Sequence, residues 1–323
     1  MENLIQQYKI EKSFFTRYFQ HNAENRFAQA MHNFMLWKRG KFLLPRDREK
    51  HINNFVMEEI ENFYQKKEFN LPQIQFVVTT RCTLKCRDCN FFVPYFDQKK
   101  SSPDLTLNEF KREFSNLIGI INTVRRFMIL GGEPLLSREL PEIIVEICRS
   151  NKIPIVEIVT NGTVLPSSLL LEVLKEFRDK VWLHISNYSI NESLRPVLKY
   201  EKLLGILKDN GIKYQMTTDT HWYREKPHGI HDYSTEQIKT MFADCWAKRV
   251  LQVCNGKIAV CPRTSGGYEM GVVPFFEGQF IDLRESSSES LRQQFIDFYH
   301  RDYLDGCKYC IRSEEEVLPA LQV

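Results

Sequence analysis

Short apolar runs alternate with longer amphipathic segments from Gln73 to about residue 235, and this alternation constrains the fold more than any other feature. We predict five strands, at Gln73–Thr80, Arg126–Leu130, Ile155–Thr160, Val181–Ser186 and Ile212–Thr218. We predict four helices between them, at Leu107–Ile118, Glu139–Ser150, Ser167–Arg178 and Leu194–Asp209. Strands that alternate with helices form parallel units, and no sixth strand is evident. The sequence therefore predicts an α/β fold, a partial and open β/α barrel with its site at the carboxyl ends of the strands.

The regions on either side of the barrel lack this alternation. Residues 1–70 are predicted to form a helical extension, because apolar residues recur at helical spacing around Phe27–Trp37 and Phe55–Tyr64. We assign residues 71–235 to the barrel and residues 236–323 to a small C-terminal domain. That domain is predicted to contain a hairpin, a strand and a helix: Leu251–Val260 around Asn255-Gly256, Phe280–Leu283 and Glu289–Tyr299.

Composition excludes several classes of protein. The 323 residues are 43% hydrophobic, which suits a sizeable core, and the net charge of +3 is too small to indicate a nucleic-acid partner. A membrane partner is not expected, since no run of 18 apolar residues occurs, and no signal peptide is evident, so we expect a cytoplasmic protein. The basic stretch Lys38–Lys50 is interpreted as a solvated face, with contact to a phosphate as the alternative.

Nine cysteines occur, and eight of them form two groups. The first group is Cys82, Cys86 and Cys89, and the second is Cys245, Cys254, Cys261, Cys307 and Cys310. Cys148 stands alone in an apolar helix pattern and is predicted to be a core residue. Closely spaced cysteines in a cytosolic chain indicate metal binding or catalysis, and thiolates select zinc or iron–sulfur clusters.

The first group, Cys82-x-x-x-Cys86-x-x-Cys89, begins where the first predicted strand ends. Three thiolates can hold three irons of a 4Fe–4S cube and leave the fourth iron open for a chelating cofactor. A structural zinc site needs four ligands, and no fourth Cys or His lies nearby in the sequence. The spacing therefore favours an iron–sulfur cluster.

The motif RCTLKCRDCN, followed by Gly131-Gly132-Glu133-Pro134 after the second predicted strand, resembles the radical S-adenosylmethionine (radical SAM) superfamily. The resemblance extends from about Gln73 to Cys310. It implies that the first cysteine group holds a 4Fe–4S cluster that binds S-adenosylmethionine (SAM). It also implies that the Gly131–Pro134 segment accepts hydrogen bonds from the methionine amino group through its backbone and Glu133.

Two further strand ends correspond to cofactor contacts in the family. Thr160 and Asn161 end the third predicted strand, and Ser186 and Asn187 end the fourth. The resemblance implies contacts with the ribose and carboxylate of SAM, although polar residues at strand ends are also ordinary turn residues.

One position departs from the family pattern. The residue before the third cysteine is usually aromatic and lies near the adenine, whereas this chain has Asp88. Phe91, Phe92 and Tyr95 are the candidates to replace it.

The second cysteine group resembles the auxiliary-cluster domains of some family members. Cys245 and Cys261 flank Gly256 at the spacing that opens the SPASM pattern, and Cys307-x-x-Cys310 follows, as in the shorter twitch domain. The resemblance implies a second 4Fe–4S cluster on Cys245, Cys261, Cys307 and Cys310. Zinc on the same four cysteines is the alternative.

Cys254 is left outside this ligand set. Cys254 and Cys261 share one face of the predicted hairpin, but four strand positions separate them, roughly 13 Å at about 3.3 Å per residue. Two interpretations of Cys254 stay open: a small residue near the hairpin tip, or a catalytic hydrogen-atom donor.

The resemblance implies reductive cleavage of SAM to a 5′-deoxyadenosyl radical that abstracts a hydrogen atom from the substrate. A fully ligated second cluster suggests electron transfer, which favours oxidation or epimerisation of a hydroxylated, carbohydrate- or aminocyclitol-like small molecule. Modification of a ribosomally made peptide is the alternative. The implied partner is an electron donor such as flavodoxin or ferredoxin. Candidate substrate residues are His184, Tyr188, Tyr214, Gln215, Asp219, His221, Trp222 and Arg224.

Overall fold

The computed structural model describes residues 1–37, 45–96, 104–218, 221–225, 229–284, 288–310, 313 and 315–323. Its α-helices are α1 (Glu2–Gln7), α2 (Lys12–Phe14), α3 (His21–Trp37), α4 (Pro45–Tyr64), α5 (Leu107–Ile120), α6 (Leu140–Arg149), α7 (Ser168–Glu176), α8 (Tyr200–Asp209), α9 (Thr235–Ala243), α10 (Pro262–Glu269) and α11 (Ser288–His300). Its strands are β1 (Asn70–Leu71), β2 (Ile74–Thr79), β3 (Thr123–Val124), β4 (Phe127–Gly131), β5 (Val156–Thr160), β6 (Val181–Ser186), β7 (Lys213–Thr217), β8 (Trp222–Tyr223), β9 (Leu251–Cys254), β10 (Lys257–Val260), β11 (Ile281–Asp282) and β12 (Glu316–Val317).

One eight-stranded sheet organises the molecule, in the order β11-β10-β9-β2-β4-β5-β6-β7. Neighbouring strands from β9 to β7 are parallel, whereas β10 and β11 join in antiparallel fashion. The edge strands β11 and β7 are not paired with each other in the described part of the chain. The predicted open β/α architecture and the five predicted strands are therefore confirmed, with ends that differ by at most one residue.

The sheet also contains a sixth parallel strand that the sequence pattern did not reveal. β9 comes from the hairpin at Leu251–Val260 and pairs with β2, with Gln252 opposite Gln75 and Val253 opposite Phe76. The hairpin forms as predicted around Asn255 and Gly256, whose φ angles of 48° and 77° suit a tight two-residue turn. The sheet is thus continuous across the proposed boundary at residue 236, and the division into domains stays a prediction.

The two faces of the sheet differ in chemistry. On the helix-covered face, one row across five strands is apolar and fully buried: Val253, Phe76, Ile129, Ile158 and Leu183. On the opposite face, the adjacent row is mixed: Gln252, Gln75, Met128, Glu157 and Trp182. Alternation of side chains along each strand produces this separation. We call this opposite face the inner face of the sheet. Its polar residues indicate that it does more than pack against other elements.

The N-terminal extension is helical in the described residues, as predicted, and it is tied to the C-terminal region by Arg17. This buried guanidinium donates hydrogen bonds to the carbonyl groups of Lys248, Phe298 and Arg301, at 2.9, 2.8 and 3.0 Å. Cys148 is buried in the main core, which agrees with its interpretation. Most of the Lys38–Lys50 stretch lies outside the described residues.

Some local predictions were wrong. The helix expected at Leu194–Asp209 begins only at Tyr200, since Pro196 and the short 3-10 turn at Glu192–Leu194 precede it. The two-residue pairs β1–β3 and β8–β12 were missed because strands this short carry no periodicity. No helix of the described residues is long and apolar enough to cross a membrane.

Two helical glycines differ in the space around them and provide a test of the packing. A Cβ at Gly266 in α10 would meet the Phe91 carbonyl oxygen at 2.4 Å, whereas nothing lies within 4 Å of one at Gly205 in α8. We expect Gly266→Ala to destabilise the protein by about 1–3 kcal/mol through overpacking. Gly205→Ala should stabilise it by about 0.5–1 kcal/mol through a higher helix propensity. Urea unfolding of both variants measures the difference, and equal effects would contradict the close contact of α10 with the Phe91 segment.

Candidate active site

A cavity of about 560 Å³ lies at the carboxyl ends of the parallel strands, and most of the residues predicted for the SAM site line it. The predicted residues among its lining are Cys82, Cys86, Cys89, Gly131, Gly132, Thr160, Asn161 and Ser186. Residues that are far apart in sequence therefore share one wall. The position agrees with the site expected for an open parallel sheet.

The two glycines at the end of β4 lie directly against the start of the cysteine loop. A Cβ at Gly131 would be 2.1 Å from the Thr79 carbonyl oxygen, and one at Gly132 would be 2.2 Å from that of Arg81 and 2.8 Å from Cβ of Cys82. The Gly132 amide donates to the Thr79 carbonyl at 2.8 Å. Glycine is thus required at both positions because the Gly131-Gly132 backbone contacts the backbone at the start of the cysteine loop.

Glu133 is fully buried, and its carboxylate is already engaged by the protein. It accepts hydrogen bonds from the Thr160 hydroxyl at 2.8 Å, the Asn161 amide at 2.8 Å and the Leu135 amide at 3.1 Å. Burial raises the pKa of Glu133 to about 7, against the opposing effect of these bonds. Glu133 therefore links the ends of β4 and β5, and its side chain does not line the cavity.

Asn161 connects the end of β5 to the cysteine loop. Its side-chain amide nitrogen donates to the Thr83 hydroxyl at 3.2 Å and lies 3.7 Å from the Cys82 sulfur. Its side-chain oxygen accepts from the Thr163 amide and hydroxyl, at 2.9 and 2.6 Å. The amide orientation is thus fixed by partners on both sides.

Residues 319–323 cover the other side of the cysteine loop. The Arg87 amide donates to the Leu321 carbonyl at 2.7 Å, and the Val323 amide donates to the Lys85 carbonyl at 2.8 Å. The Gln322 side chain donates to the Cys86 sulfur at 3.6 Å. N–H donors around thiols are typical of iron–sulfur sites, where they tune the cluster.

Burial raises the pKa of the Cys82 thiol to about 11 and that of the Cys86 thiol to about 12. A metal centre that binds here must therefore displace protons.

The four cysteines of the proposed second site also lie together. A smaller pocket between α9, α10 and the 3-10 turn at Asp305–Tyr309 is lined by Cys245, Cys261, Cys307 and Cys310. In the described residues, no group of three or more His, Cys, Asp or Glu side chains is drawn together closely enough to hold a single metal ion. The four thiols therefore share the wall of one pocket, and their role as ligands of a common cluster stays a prediction.

The family model of the radical SAM superfamily matches residues 76–223, which span β2 to β8 and contain the cysteine loop, the paired glycines and the strand ends described above. The chain contains a radical SAM domain. This family implies a 4Fe–4S cluster and SAM as cofactors.

Curated relatives share part of this domain. An uncharacterized protein of Methanocaldococcus jannaschii is 31% identical over 151 residues, which cover 44% of this chain and 50% of that protein. The GTP 3′,8-cyclase of Syntrophomonas wolfei is 30% identical over 139 residues, which cover 42% of this chain and 39% of that enzyme. The aligned region therefore spans half or less of either relative.

Among solved structures, BtrN in complex with AdoMet and 2-DOIA aligns with a TM-score of 0.43 and 17% identity. The alignment covers 79% of this chain and all of BtrN.

Some residues predicted for the radical SAM site lie beside the cavity rather than on its wall. Pro134 is buried and begins the short 3-10 turn at Pro134–Leu136. Asn187 donates from its side chain to the Thr218 hydroxyl at 2.8 Å and accepts from the Ser189 amide at 3.0 Å. Both are absent from the described cavity lining, so direct contact with SAM stays a prediction for them.

Asp88, which replaces the usual aromatic residue, is buried and has polar partners. Its carboxylate accepts from the Arg87 side chain and from the Glu225 amide, both at 3.1 Å. Of the three aromatic candidates to replace it, Phe91 lines the cavity, whereas Phe92 and Tyr95 do not.

Cys254 is 3% exposed and packs with Val77, Phe91 and Val93. Burial and the nearby Glu269 carboxylate raise the pKa of its thiol, and the residue does not line the described cavity. This placement leaves both interpretations of Cys254 as predictions: a hydrogen-atom donor, or a small residue near the hairpin tip.

The candidate substrate residues are only partly gathered. His184, Tyr188, His221 and Trp222 line the cavity, Tyr214, Gln215 and Arg224 do not, and Asp219 lies outside the described residues.

The sequence analysis missed three polar residues of the inner face: Gln75, Glu157 and Gln252. Gln75 and Gln252 line the cavity floor, and Glu157 lies behind His184. Each interrupts an otherwise apolar strand, and that interruption was the signal available in the sequence.

Removal of the Glu133 carboxylate should loosen this edge of the site. Because three donors lose their acceptor, we expect Glu133→Ala to lower the free energy of unfolding by at least about 2 kcal/mol. SAM affinity should fall roughly ten- to a hundredfold as the β4 and β5 ends separate. Chemical denaturation and isothermal titration with SAM measure these effects, and Arg138→Ala, at an exposed position nearby, is the control. Unchanged stability would contradict the linking role.

Proposed function

We propose that this chain is a radical SAM enzyme that oxidises a carbon–hydrogen bond beside a hydroxyl group of a small polyol, of the carbohydrate or aminocyclitol class. We infer the substrate class from the environment of Gln252. Its side chain is 1% exposed, faces the cavity, and neither its amide oxygen nor its amide nitrogen has a hydrogen-bond partner among the described residues. An unpaired buried amide costs about 1–3 kcal/mol, so its presence on a cavity wall calls for a ligand.

The chemistry of an amide indicates which ligand. The amide presents one acceptor and one donor side by side, and a hydroxyl group is both donor and acceptor. Gln75 lies directly opposite Gln252 in the sheet register and adds a second amide to the same floor. Two adjacent amides suit a molecule with several hydroxyl or amino groups.

The cofactors would occupy the wall nearer the strand ends. Cys82, Cys86 and Cys89 would hold the cluster, and Gly131 and Gly132 would form part of the wall beside SAM. When bound, this pair supplies a 5′-deoxyadenosyl radical that removes a hydrogen atom from the substrate.

Oxidation of a hydroxyl-bearing carbon radical to a carbonyl releases one proton and one electron. His184 is placed to take the proton. Its Nδ1 contacts the Glu157 carboxylate at 2.8 Å, and its Nε2 contacts the Thr217 hydroxyl at 2.6 Å. A carboxylate only accepts, so Nδ1 carries the hydrogen and Nε2 accepts from the Thr217 hydroxyl, which itself lines the cavity and would pass the substrate proton to the ring.

Glu157 is itself held in the ionised form that this arrangement needs. Burial alone would raise its pKa, but hydrogen bonds from His184 and from Arg126, the latter at 2.5 and 2.8 Å, outweigh burial and hold the pKa below its ordinary value. A fixed carboxylate on Nδ1 orients the ring and stabilises the imidazolium that forms when Nε2 accepts a proton.

The electron requires an acceptor, for which the second cysteine group is suited. Cys245, Cys261, Cys307 and Cys310 line a common pocket whose wall also includes Arg263, a residue of the main cavity. These four thiols would hold a 4Fe–4S cluster, which supplies a one-electron acceptor close to the substrate.

Epimerisation is less well supported than oxidation. It requires a hydrogen-atom donor in the cavity, and the thiols that line the described cavity are Cys82, Cys86 and Cys89, all of them proposed cluster ligands. Cys254, considered above as a hydrogen-atom donor, is enclosed by apolar side chains and does not line that cavity.

Iron content tests both clusters. After anaerobic reconstitution we expect about eight irons per chain, from two 4Fe–4S clusters. Replacing Cys82, Cys86 and Cys89 by Ala should leave about four irons and abolish formation of 5′-deoxyadenosine, because the ligands of the SAM-binding cluster are gone. Cys148→Ala is the matched control and should keep all of the iron. Zinc instead of iron in the triple variant would sink the proposal of a second cluster.

Gln252→Leu tests the substrate class. The apoprotein should be at least as stable as wild type, since an unpaired buried amide is replaced by an apolar group. The preferred substrate is found with a panel of aminocyclitols, amino sugars and short peptides. Its oxidation should lose at least about tenfold in kcat/KM, because one hydrogen bond is removed. Gln293→Leu, at an exposed position on α11, is the control. A clear loss of stability, or a panel in which peptides but no polyols react, would contradict this assignment.

A further inference from the structure

Arg263 lies between the two cysteine groups. It follows Cys261 and Pro262 in the first turn of α10, and it lines both the main cavity and the pocket formed by the four cysteines of the second group. Its side chain is 18% exposed. A single cationic side chain therefore borders the place proposed for the substrate and the place proposed for the second cluster.

The contacts of the guanidinium hold it in this position. Its Nε donates to one carboxylate oxygen of Glu225 at 2.5 Å, and one terminal nitrogen donates to the other oxygen. The remaining nitrogen points to the Cys310 sulfur at 3.9 Å. A two-pronged bond to a carboxylate fixes the plane of the guanidinium, so its third edge is directed at the cysteine.

Glu225 extends the chain of contacts towards the first cysteine group. Its side chain is 7% exposed and lines the main cavity. Its backbone amide donates to the carboxylate of Asp88, the buried residue that precedes Cys89. A continuous polar path thus runs along the cavity wall from Asp88 through Glu225 and Arg263 to Cys310.

We propose that Arg263 sets the reduction potential of the second cluster, with Glu225 as the counter-charge that limits its effect. The inference rests on the proposed function, in which that cluster accepts the electron released by the substrate radical. Reduction adds one negative charge to a cluster and its four thiolates. A cation directed at a ligand sulfur stabilises the reduced form and raises the potential, and a neighbouring carboxylate opposes it.

The two charges therefore predict shifts of opposite sign. Arg263→Gln removes the cation and leaves the Glu225 carboxylate behind, so the potential of the second cluster should become more negative. Glu225→Gln removes the anion and leaves the guanidinium near Cys310, so the potential should become more positive. Arg263→Lys keeps the charge but loses the two-pronged bond, and most of the wild-type potential should return.

The experiment is a redox titration followed by electron paramagnetic resonance on the anaerobically reconstituted full chain, without substrate. The same substitutions in a Cys82/Cys86/Cys89→Ala background identify the signal of the second cluster. Arg284→Gln is the matched control, because this arginine also pairs with a buried carboxylate, that of Glu113, and lines neither pocket among the described residues. Its potential should equal that of wild type.

The outcomes separate the two proposals. Opposite shifts in Arg263→Gln and Glu225→Gln support the role of Arg263. If both variants have the wild-type potential, or if both potentials shift in the same direction, the role of Arg263 is overturned. The second cluster and the proposed function are unaffected by that result. If Arg263→Gln fails to assemble the cluster, Glu225→Gln and Arg263→Lys decide the matter, and a negative shift in Glu225→Gln overturns the proposal. Absence of a second iron–sulfur cluster in the wild-type protein overturns both.

Discussion

The site depends on the close approach of the β4 end to the beginning of the cysteine loop. The backbone of Gly131 and Gly132 lies so near Thr79 and Arg81 that a Cβ at either glycine would be about 2 Å from a carbonyl oxygen. Only glycine allows this contact. The contact brings two segments about fifty residues apart onto one cavity wall, and Glu133 then joins that wall to the end of β5 through its buried carboxylate.

The inner face of the sheet supplies the chemistry that the strand ends alone lack. A fully apolar row on the helix side stabilises the fold by burial of apolar surface. The opposite row can therefore contain polar residues. Gln75, Glu157 and Gln252 occupy this opposite row, and His184 lies on the same face, two residues beyond the row on β6. An unpaired or charged group here is tolerable only because the rest of the sheet is so well packed, and such local cost at a cavity is what functional sites commonly show.

The sequence predicted the open parallel architecture and five of its strands, because these follow from local periodicity. It did not predict that β9 pairs with β2, since long-range pairing leaves no mark in a local pattern. For the same reason, Gln252 was not predicted as a site residue. In the sequence it is an ordinary polar residue between Leu251 and Val253. Its position at the cavity follows from the pairing that places it opposite Gln75. Glu133 shows a related limit: the motif was recognised, but the carboxylate faces Thr160 and the backbone rather than the cavity.

Because β9 pairs with β2, the proposed substrate contact and the proposed electron acceptor would share one structural element. Gln252 leads into the hairpin, the hairpin returns to Cys261, and α10 then carries Arg263 back to the cavity. The Gly266 backbone in the same helix packs against Phe91, which follows the first cysteine group. A displacement of this hairpin would therefore move the floor of the substrate site and the second cysteine group together. In an oxidation, the radical must lose its electron before it escapes or reacts elsewhere, so a rigid unit that holds both the substrate contact and the electron acceptor is physically well suited to that reaction.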